Sequence, residues 1–168
     1  MADGDLYQSD IFAWSEQQTG ALRELAARRD LPNALDIAHV VEEIEDVGQS
    51  ELNAVRSSLR LILGHAIKCC VDHEAPSVRH WLAEIGYWQN ELADRLTPAM
   101  RNRIDLDALW KRAIRQAELD LAEQDRASVD LTARLAAQSG VCPVRLDDIL
   151  TDPADPAALV ARLADGTP

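Results

Sequence analysis

Three side chains that could bind a metal follow one another near the middle of the chain: His65, Cys69 and His73. On one continuous helix this i, i+4, i+8 spacing would place two imidazoles and a thiol on the same face. Zinc takes such ligands, but a tetrahedral site needs a fourth, which His80 or Cys142 would have to supply. The alternative is that Cys69 and Cys70 are small core residues, that His65 is a hydrogen-bonded histidine at the edge of the core and that His73 lies in a loop.

A second possible chemistry is general-base catalysis by His65 with a carboxylate as its partner. Glu43 or Glu51 would orient the imidazole if the helices that carry them pack together. The chain has no glycine-rich phosphate loop and no nucleophile elbow. Cys69 and Cys70 lie near the end of a helical pattern, where the helix dipole disfavours a thiolate. The sequence therefore favours a protein that is not an enzyme and has no cofactor; a metal-dependent or general-base enzyme centred on Glu43, Glu51 and His65 is the alternative.

An acidic cluster precedes these residues and contains Glu42, Glu43, Glu45 and Asp46. Together with His39 it could offer ligands to a divalent metal. The cluster lies opposite the apolar stripe of its helix, which is typical of a solvated helix face. The Glu-x-x-His pair of di-metal bundles is absent from the sequence.

All these candidates lie in or next to the longest helical pattern of the chain, from Leu35 to Cys70, where apolar residues recur every three to four positions. One unbroken helix of that length would extend about 54 Å. A compact domain of this chain length has a diameter of only about 40 Å. Gly48, followed by Gln49 and Ser50, is suited to end one helix and begin another. We therefore expect two helices here, or one that is sharply bent.

The rest of the chain is also helical in its periodicity. Apolar stripes occur from Ile11 to Ala26, from Val78 to Leu96, from Leu106 to Leu121, from Val129 to Leu135, from Arg145 to Leu150 and after Pro156. The sequence predicts an all-α, single-domain bundle of five or six main helices with short C-terminal helices. Residues 1–8 are expected to form a flexible lead and residues 151–168 a peripheral tail. The tryptophans at 14, 81, 88 and 110 lie on or beside the stripes and should be core or interface anchors.

The composition limits the possible partners. Seventeen basic and 29 acidic residues give a formal net charge of −12. This charge has the wrong sign for neutralising phosphates, so neither nucleic acid nor an anionic membrane surface is an expected partner. An odd number of cysteines, two of them adjacent, is typical of reduced thiols in a cytoplasmic protein. No run approaches the roughly 20 apolar residues of a membrane span, and the polar, acidic N-terminus does not resemble a signal peptide.

Several separated signals along the chain occur in a recognisable order. They are Tyr7 through Trp14; Leu35 and Asp36 followed by Glu42, Glu43, Ile44, Glu45 and Gly48; His65 and Lys68; Trp81; and Cys142 and Pro143 before Leu146, Ile149 and Leu150. This order resembles the bacterial family catalogued as domain of unknown function 29, over Leu6 to Leu150. The resemblance implies an all-helical bacterial protein and supplies no catalytic residue. Cys69 and Val144 stand where aromatic residues are common in the family, so no role resting on those aromatics is expected.

These observations predict a non-enzymatic, acidic helical protein that acts through protein contacts. The expected forms are a homo-oligomer, or an adaptor or neutralising partner of a basic protein.

Overall fold

The structure is a computed structural model that describes residues 6–28, 32, 34–123, 141–151 and 153–166. Within these ranges it contains helices and no strand, so the predicted all-α fold is confirmed. The helices are α1 (Leu6–Ser9), α2 (Ile11–Ala26), α3 (Ile37–Val71), α4 (Val78–Arg95), α5 (Pro98–Arg101), α6 (Leu106–Glu123), α7 (Leu146–Ile149) and α8 (Pro156–Asp165). The helix predicted from Val129 to Leu135 lies outside the described residues, and α1 includes residues that the sequence analysis placed in a flexible lead.

Side chains just before the helices fix where several of them begin. The Asp10 carboxylate accepts a hydrogen bond from the Ala13 amide at 2.9 Å and caps α2. Asp155 does the same for α8 by accepting from the Ala158 amide at 2.9 Å. Each cap satisfies an amide that has no partner within its own helix. At its other end α8 stops at Gly166, whose φ of 63° is the left-handed conformation that glycine adopts without strain.

The long helix α3 continues through Gly48 for 35 residues, a length of about 52 Å. The prediction of two separate helices that meet at Gly48 is therefore wrong, while the alternative of a bend there stays a prediction. A Cβ at Gly48 would lie 2.0 Å from Ser15 Oγ and 3.0 Å from Ser15 Cβ. Ser15 is buried in α2 and donates a hydrogen bond to the Phe12 carbonyl oxygen at 2.8 Å. The glycine is thus needed for the close packing of α2 on α3, not for a helix end.

Contacts between residues divide the chain into two compact units. The first unit runs to Val55 and includes Leu96–Ile104; it contains α1, α2, the beginning of α3 and α5. The second unit comprises Arg56–Arg95 and the chain from Asp105 onward, with the remainder of α3 and the other helices. Each unit therefore contains part of α3.

The core of the first unit includes Phe12 of α2, which is 1% exposed. Helix α2 contacts both α1 and α5. The other buried apolar side chains of this unit include Ile37, Val41, Leu52, Val55 and Met100.

The core of the second unit includes Trp110 of α6, which is completely buried. Helix α4 contacts α8, and the buried Gln89 of α4 donates a hydrogen bond to the Ile149 carbonyl oxygen of α7 at 2.8 Å. Other buried side chains of this unit include Leu59, Ile62, Leu63, Ile85, Leu92, Leu121, Leu159 and Leu163. Trp81 is also buried, whereas Trp14 and Trp88 are only half-buried. None of the described helices is both long enough and apolar enough to cross a membrane.

Candidate functional site

The first unit carries an apolar groove between the end of α2 and the start of α3. Its volume is about 400 Å³. The apolar lining residues are Ala26, Ile37, Ala38 and Val41, and the charged lining residues are Arg23, Glu42 and Glu45. Ile37 and Val41 are each only 7% exposed. The groove therefore has a buried apolar floor and a charged border.

The border of this groove is mainly acidic. Arg23 Nη2 lies 2.5 Å from Glu45 Oε1, and both side chains are about half exposed. Glu42 forms no ion pair with any other described residue. Because Arg23 is matched by Glu45, the border retains a net negative charge.

Exposed apolar side chains surround the start of α3. Leu35, Val40 and Val47 are 48%, 40% and 46% exposed. Exposed apolar surface of this kind is typical of a site that a protein partner covers.

The second unit contains a buried charged cluster that begins with His65 on α3. His65 Nε2 lies 3.0 Å from Glu84 Oε2 of α4, so the imidazole faces a carboxylate. The other ring nitrogen, Nδ1, is buried and has no hydrogen-bond partner among the described residues. Burial, and then the nearby charge of Lys68, lower the pKa of His65, although Glu84 opposes this effect. The imidazole is therefore neutral at pH 7.

Lys68 is the second member of this cluster and is unusually buried for a lysine, at 9% exposure. Its Nζ atom lies 3.1 Å from Asp120 Oδ2 of α6 and 5.4 Å from the centre of the Trp81 ring. The Gln116 amide donates a hydrogen bond to the other Asp120 oxygen at 2.8 Å. Burial alone would raise the pKa of Asp120, but the hydrogen bonds from Gln116 and Lys68 outweigh it and lower that pKa. Lys68 and Asp120 thus form a partly buried ion pair.

His65, Lys68 and Asp120 line a cavity of about 300 Å³. The remaining lining residues are Arg60, Leu61, Gly64, Gln116 and Ala117. The Arg60 side chain is exposed and forms no ion pair with another described residue. A Cβ placed on Gly64 would meet no atom within 4 Å, so this glycine leaves one side of the cavity open.

The predicted general base, His65, and its predicted carboxylate partners, Glu43 and Glu51, lie in different units. Glu43 is exposed and Glu51 half-buried, both on the part of α3 that belongs to the first unit. His65 lies in the second unit, where its carboxylate partner is Glu84. The sequence analysis missed Glu84. The i, i+4 spacing of His80 and Glu84 on α4 would have indicated an acidic helix face near a histidine.

The predicted metal ligands do not share a helix face, because α3 ends at Val71 and His73 is an exposed residue beyond it. Cys69 is buried, and burial raises the pKa of its thiol to about 11. In the same way burial raises the pKa of Cys70 to about 12. Such thiols are protonated at neutral pH in the protein without metal. Across the described ranges no group of three or more His, Cys, Asp or Glu side chains is placed to hold a metal ion.

Comparison with known proteins agrees with this architecture. The described part of the chain is helical and includes an acidic groove and a charged cavity. The family model described as domain of unknown function DUF29 matches residues 6–152, and the chain belongs to this family, as its motifs predict. A similar crystal structure is that of an alpha-helical protein of unknown function from Rhodospirillum rubrum ATCC 11170. It is 40% identical, with a TM-score of 0.80, and the match covers 94% of this chain and 96% of that one. Comparison with curated proteins gave no match.

Proposed function

We propose that the protein acts without catalysis, by binding a basic protein through the groove of the first unit. The observation that carries this proposal is the combination of an apolar floor with an acidic border in the groove between α2 and α3. An apolar floor favours an apolar side chain of the partner, since burial of apolar surface drives most protein association. The acidic border favours lysine or arginine on either side of that anchor.

The charge of the whole chain supports the same partner chemistry. A net charge of −12 attracts a cationic protein at long range and speeds the encounter. Glu42 forms no ion pair with another described residue, so a cationic partner would not have to displace one of those residues from it. The expected partner segment is therefore an amphipathic one with an apolar anchor and basic flanks.

The cellular setting belongs to the same proposal. We place the protein in the cytoplasm of a bacterium. Support comes from its three free cysteines and from the similar protein of a bacterium, Rhodospirillum rubrum.

The test uses an array of helical peptides in which one leucine or phenylalanine anchor is flanked by lysines. Scrambled peptides of the same composition are the controls. We expect the full chain to bind a subset of the ordered peptides and to lose affinity as salt rises. Glu42→Gln should weaken binding up to about fivefold, since an exposed charge pair contributes at most about 1 kcal/mol. Ala38→Trp should weaken it about tenfold or more, because the indole would occupy the groove.

Glu24→Gln is the matched control, because Glu24 is an exposed residue of α2 outside the groove. It makes the same change in net charge as Glu42→Gln and should leave binding unchanged. Equal weakening by Glu24→Gln and Glu42→Gln would mean attraction by net charge alone and would contradict the proposal. A homodimer in native mass spectrometry that Ala38→Trp converts to monomer, with no peptide bound, would also contradict it and assign the groove to self-association.

A further inference from the structure

We propose that the cavity of the second unit binds a small metabolite through a carboxylate or phosphate group. The inference is independent of the proposed function, since its residues all lie in the other unit. The proposal rests on hydrogen-bond donors in the cavity wall for which the described residues do not supply enough acceptors.

Lys68 supplies the first of these donors. Its ammonium group has three N–H bonds, and among the described residues Asp120 is the one hydrogen-bond acceptor that it contacts. The Trp81 ring beneath the ammonium stabilises its charge but accepts no conventional hydrogen bond. At 11% exposure the side chain still reaches the cavity, which it lines. An oxygen atom of a ligand would complete the coordination of this lysine.

Arg60 supplies the second set of donors. It lines the cavity, is exposed and has no ion pair among the described residues. Its planar guanidinium matches the paired oxygens of a carboxylate or phosphate. Arg60 lies two helical turns before Lys68 on α3, with Gly64 midway between them. The two cations thus flank the open side of the cavity that Gly64 provides.

The charge balance of the lining favours an anion. Arg60 and Lys68 are cationic, Asp120 is anionic, and Gln116 and the neutral His65 add no charge. The lining residues therefore carry one net positive charge, in a chain whose total is −12, while the Glu84 carboxylate beside His65 lies outside the lining. Such a local reversal of sign favours an anion in the cavity.

The dimensions of the cavity limit the ligand to a small molecule. A volume of about 300 Å³ is at the lower end of the range for small-molecule pockets. Leu61 and Ala117 supply a short apolar wall. The ligand class is thus a compact acid, with one oxyanion group held by Arg60 and Lys68.

Gly64 provides a way to close the cavity without disturbing the fold. Because a Cβ at Gly64 meets no atom within 4 Å, Gly64→Leu should fold and fill the cavity with its side chain. Gly20 is its matched control: it also lies in a helix, a Cβ there meets nothing within 4 Å, and it is not a cavity residue.

The test is an NMR titration of the ¹⁵N-labelled full chain with inorganic phosphate and, separately, with citrate, at constant ionic strength. We expect saturable shifts centred on the Gly64 amide and the Gln116 side chain. Saturation by phosphate alone would identify a phosphate ligand, saturation by citrate alone a carboxylate ligand, and saturation by both the shared oxyanion chemistry. Arg60→Gln should weaken binding about tenfold or more, Gly64→Leu should abolish it, and Arg115→Gln and Gly20→Leu should leave it unchanged.

Two results would overturn the proposal. One is the absence of saturable shifts with both anions. The other is binding that fails its controls. Binding that survives Gly64→Leu would be located outside the cavity, and binding that weakens equally in Arg60→Gln and Arg115→Gln would be nonspecific attraction by charge. Arg60 and Arg115 are both exposed, so neither substitution is expected to unfold the protein.

Discussion

The groove of the first unit and the cavity of the second are both lined in part by residues of α3, but their ion pairs differ in exposure to solvent. In the groove, Arg23 and Glu45 pair in solvent, with 57% and 42% of their side chains exposed. In the cavity, Lys68 and Asp120 pair at 11% and 33% exposure. Water screens the first pair, whereas the second has given up much of its hydration. The difference teaches that the Arg23–Glu45 pair adds little to the stability of the fold, while the Lys68–Asp120 pair is part of what holds the second unit together.

The largest expected effect concerns the buried pair. Asp120→Ala would leave the Lys68 ammonium buried without its carboxylate, and we expect a loss of about 2–4 kcal/mol in the free energy of unfolding. Lys68→Met should cost less, because Asp120 is three times as exposed and can be rehydrated. Urea unfolding measures both.

The double variant Lys68→Met with Asp120→Ala sharpens this prediction. Replacing a whole buried pair by apolar groups is often nearly neutral, so the double variant should be more stable than Asp120→Ala alone. If its loss equals the sum of the two single losses, the pair is not coupled, and the contrast between the two regions fails.

The next effect is steric and belongs to the first unit. Gly48→Ala places a methyl group against Ser15, and we expect a loss of about 1–3 kcal/mol. Gly20→Ala and Gly64→Ala are the controls, since a Cβ at either position meets nothing within 4 Å. Both should be stabilising by up to about 1 kcal/mol, because alanine has the higher helix propensity. Equal thermal stability of all three variants would contradict the close approach of α2 to α3.

A smaller effect is expected from pH. The pKa of His65 is lowered in the folded state, mainly by burial and then by Lys68, with His80 acting in the same direction and Glu84 and Asp120 against it. The unfolded chain binds a proton below about pH 6.5, while the folded chain does so only at lower pH. The contribution of His65 to stability is thus complete above that pH and declines as pH falls below it.

His65→Gln should therefore flatten the loss of stability between about pH 7.5 and 5.5, measured by urea unfolding. His39→Gln is the opposite control. The hydrogen bond that the His39 ring donates to the Asp36 carboxylate raises the pKa of His39, so His39 stabilises the fold at low pH, and its removal should steepen the loss. A flatter profile in His39→Gln than in His65→Gln would contradict this assignment.

The smallest effect is expected at the groove border. Glu45→Gln removes the exposed pair with Arg23 and should change the free energy of unfolding by no more than about 0.5 kcal/mol. A loss as large as that of Asp120→Ala, measured under the same conditions, would remove the distinction between the two regions.

Much of the fold follows from local periodicity. The stripe on α4 predicts that Trp81, Ile85 and Leu92 are buried, and they are. Each such residue lies on the same helix face as the next, so the signal is contained within a few turns of sequence. Helix type and core face are therefore accessible to sequence reasoning.

Gly48 shows where local reasoning ends. A glycine inside a helical pattern fits a helix end as well as a close contact with another helix. The residue that decides between the two is Ser15, on a different helix and 33 positions earlier. Only the packing of α2 on α3 distinguishes the alternatives.

The candidate site shows the same limit. His65 stood out because histidine can do chemistry, but Lys68 did not, because lysine is almost always solvated. Its burial depends on Asp120, which lies 52 positions away on α6. Pairing over such a distance leaves no pattern in a single sequence. Sequence reasoning therefore identified His65 but not the Lys68–Asp120 pair beside it.

The three thiols have a practical consequence for measuring how this protein unfolds. Cys69, Cys70 and Cys142 all lie in the second unit, and burial raises the pKa of each thiol to about 11 or 12. An alkylating reagent reacts with thiolate, so native molecules should resist labelling at neutral pH, and only molecules whose second unit has opened should be modified. In the wild-type chain the rate of thiol alkylation therefore reports the opening of the second unit. Opening of the first unit alone should leave that labelling rate unchanged.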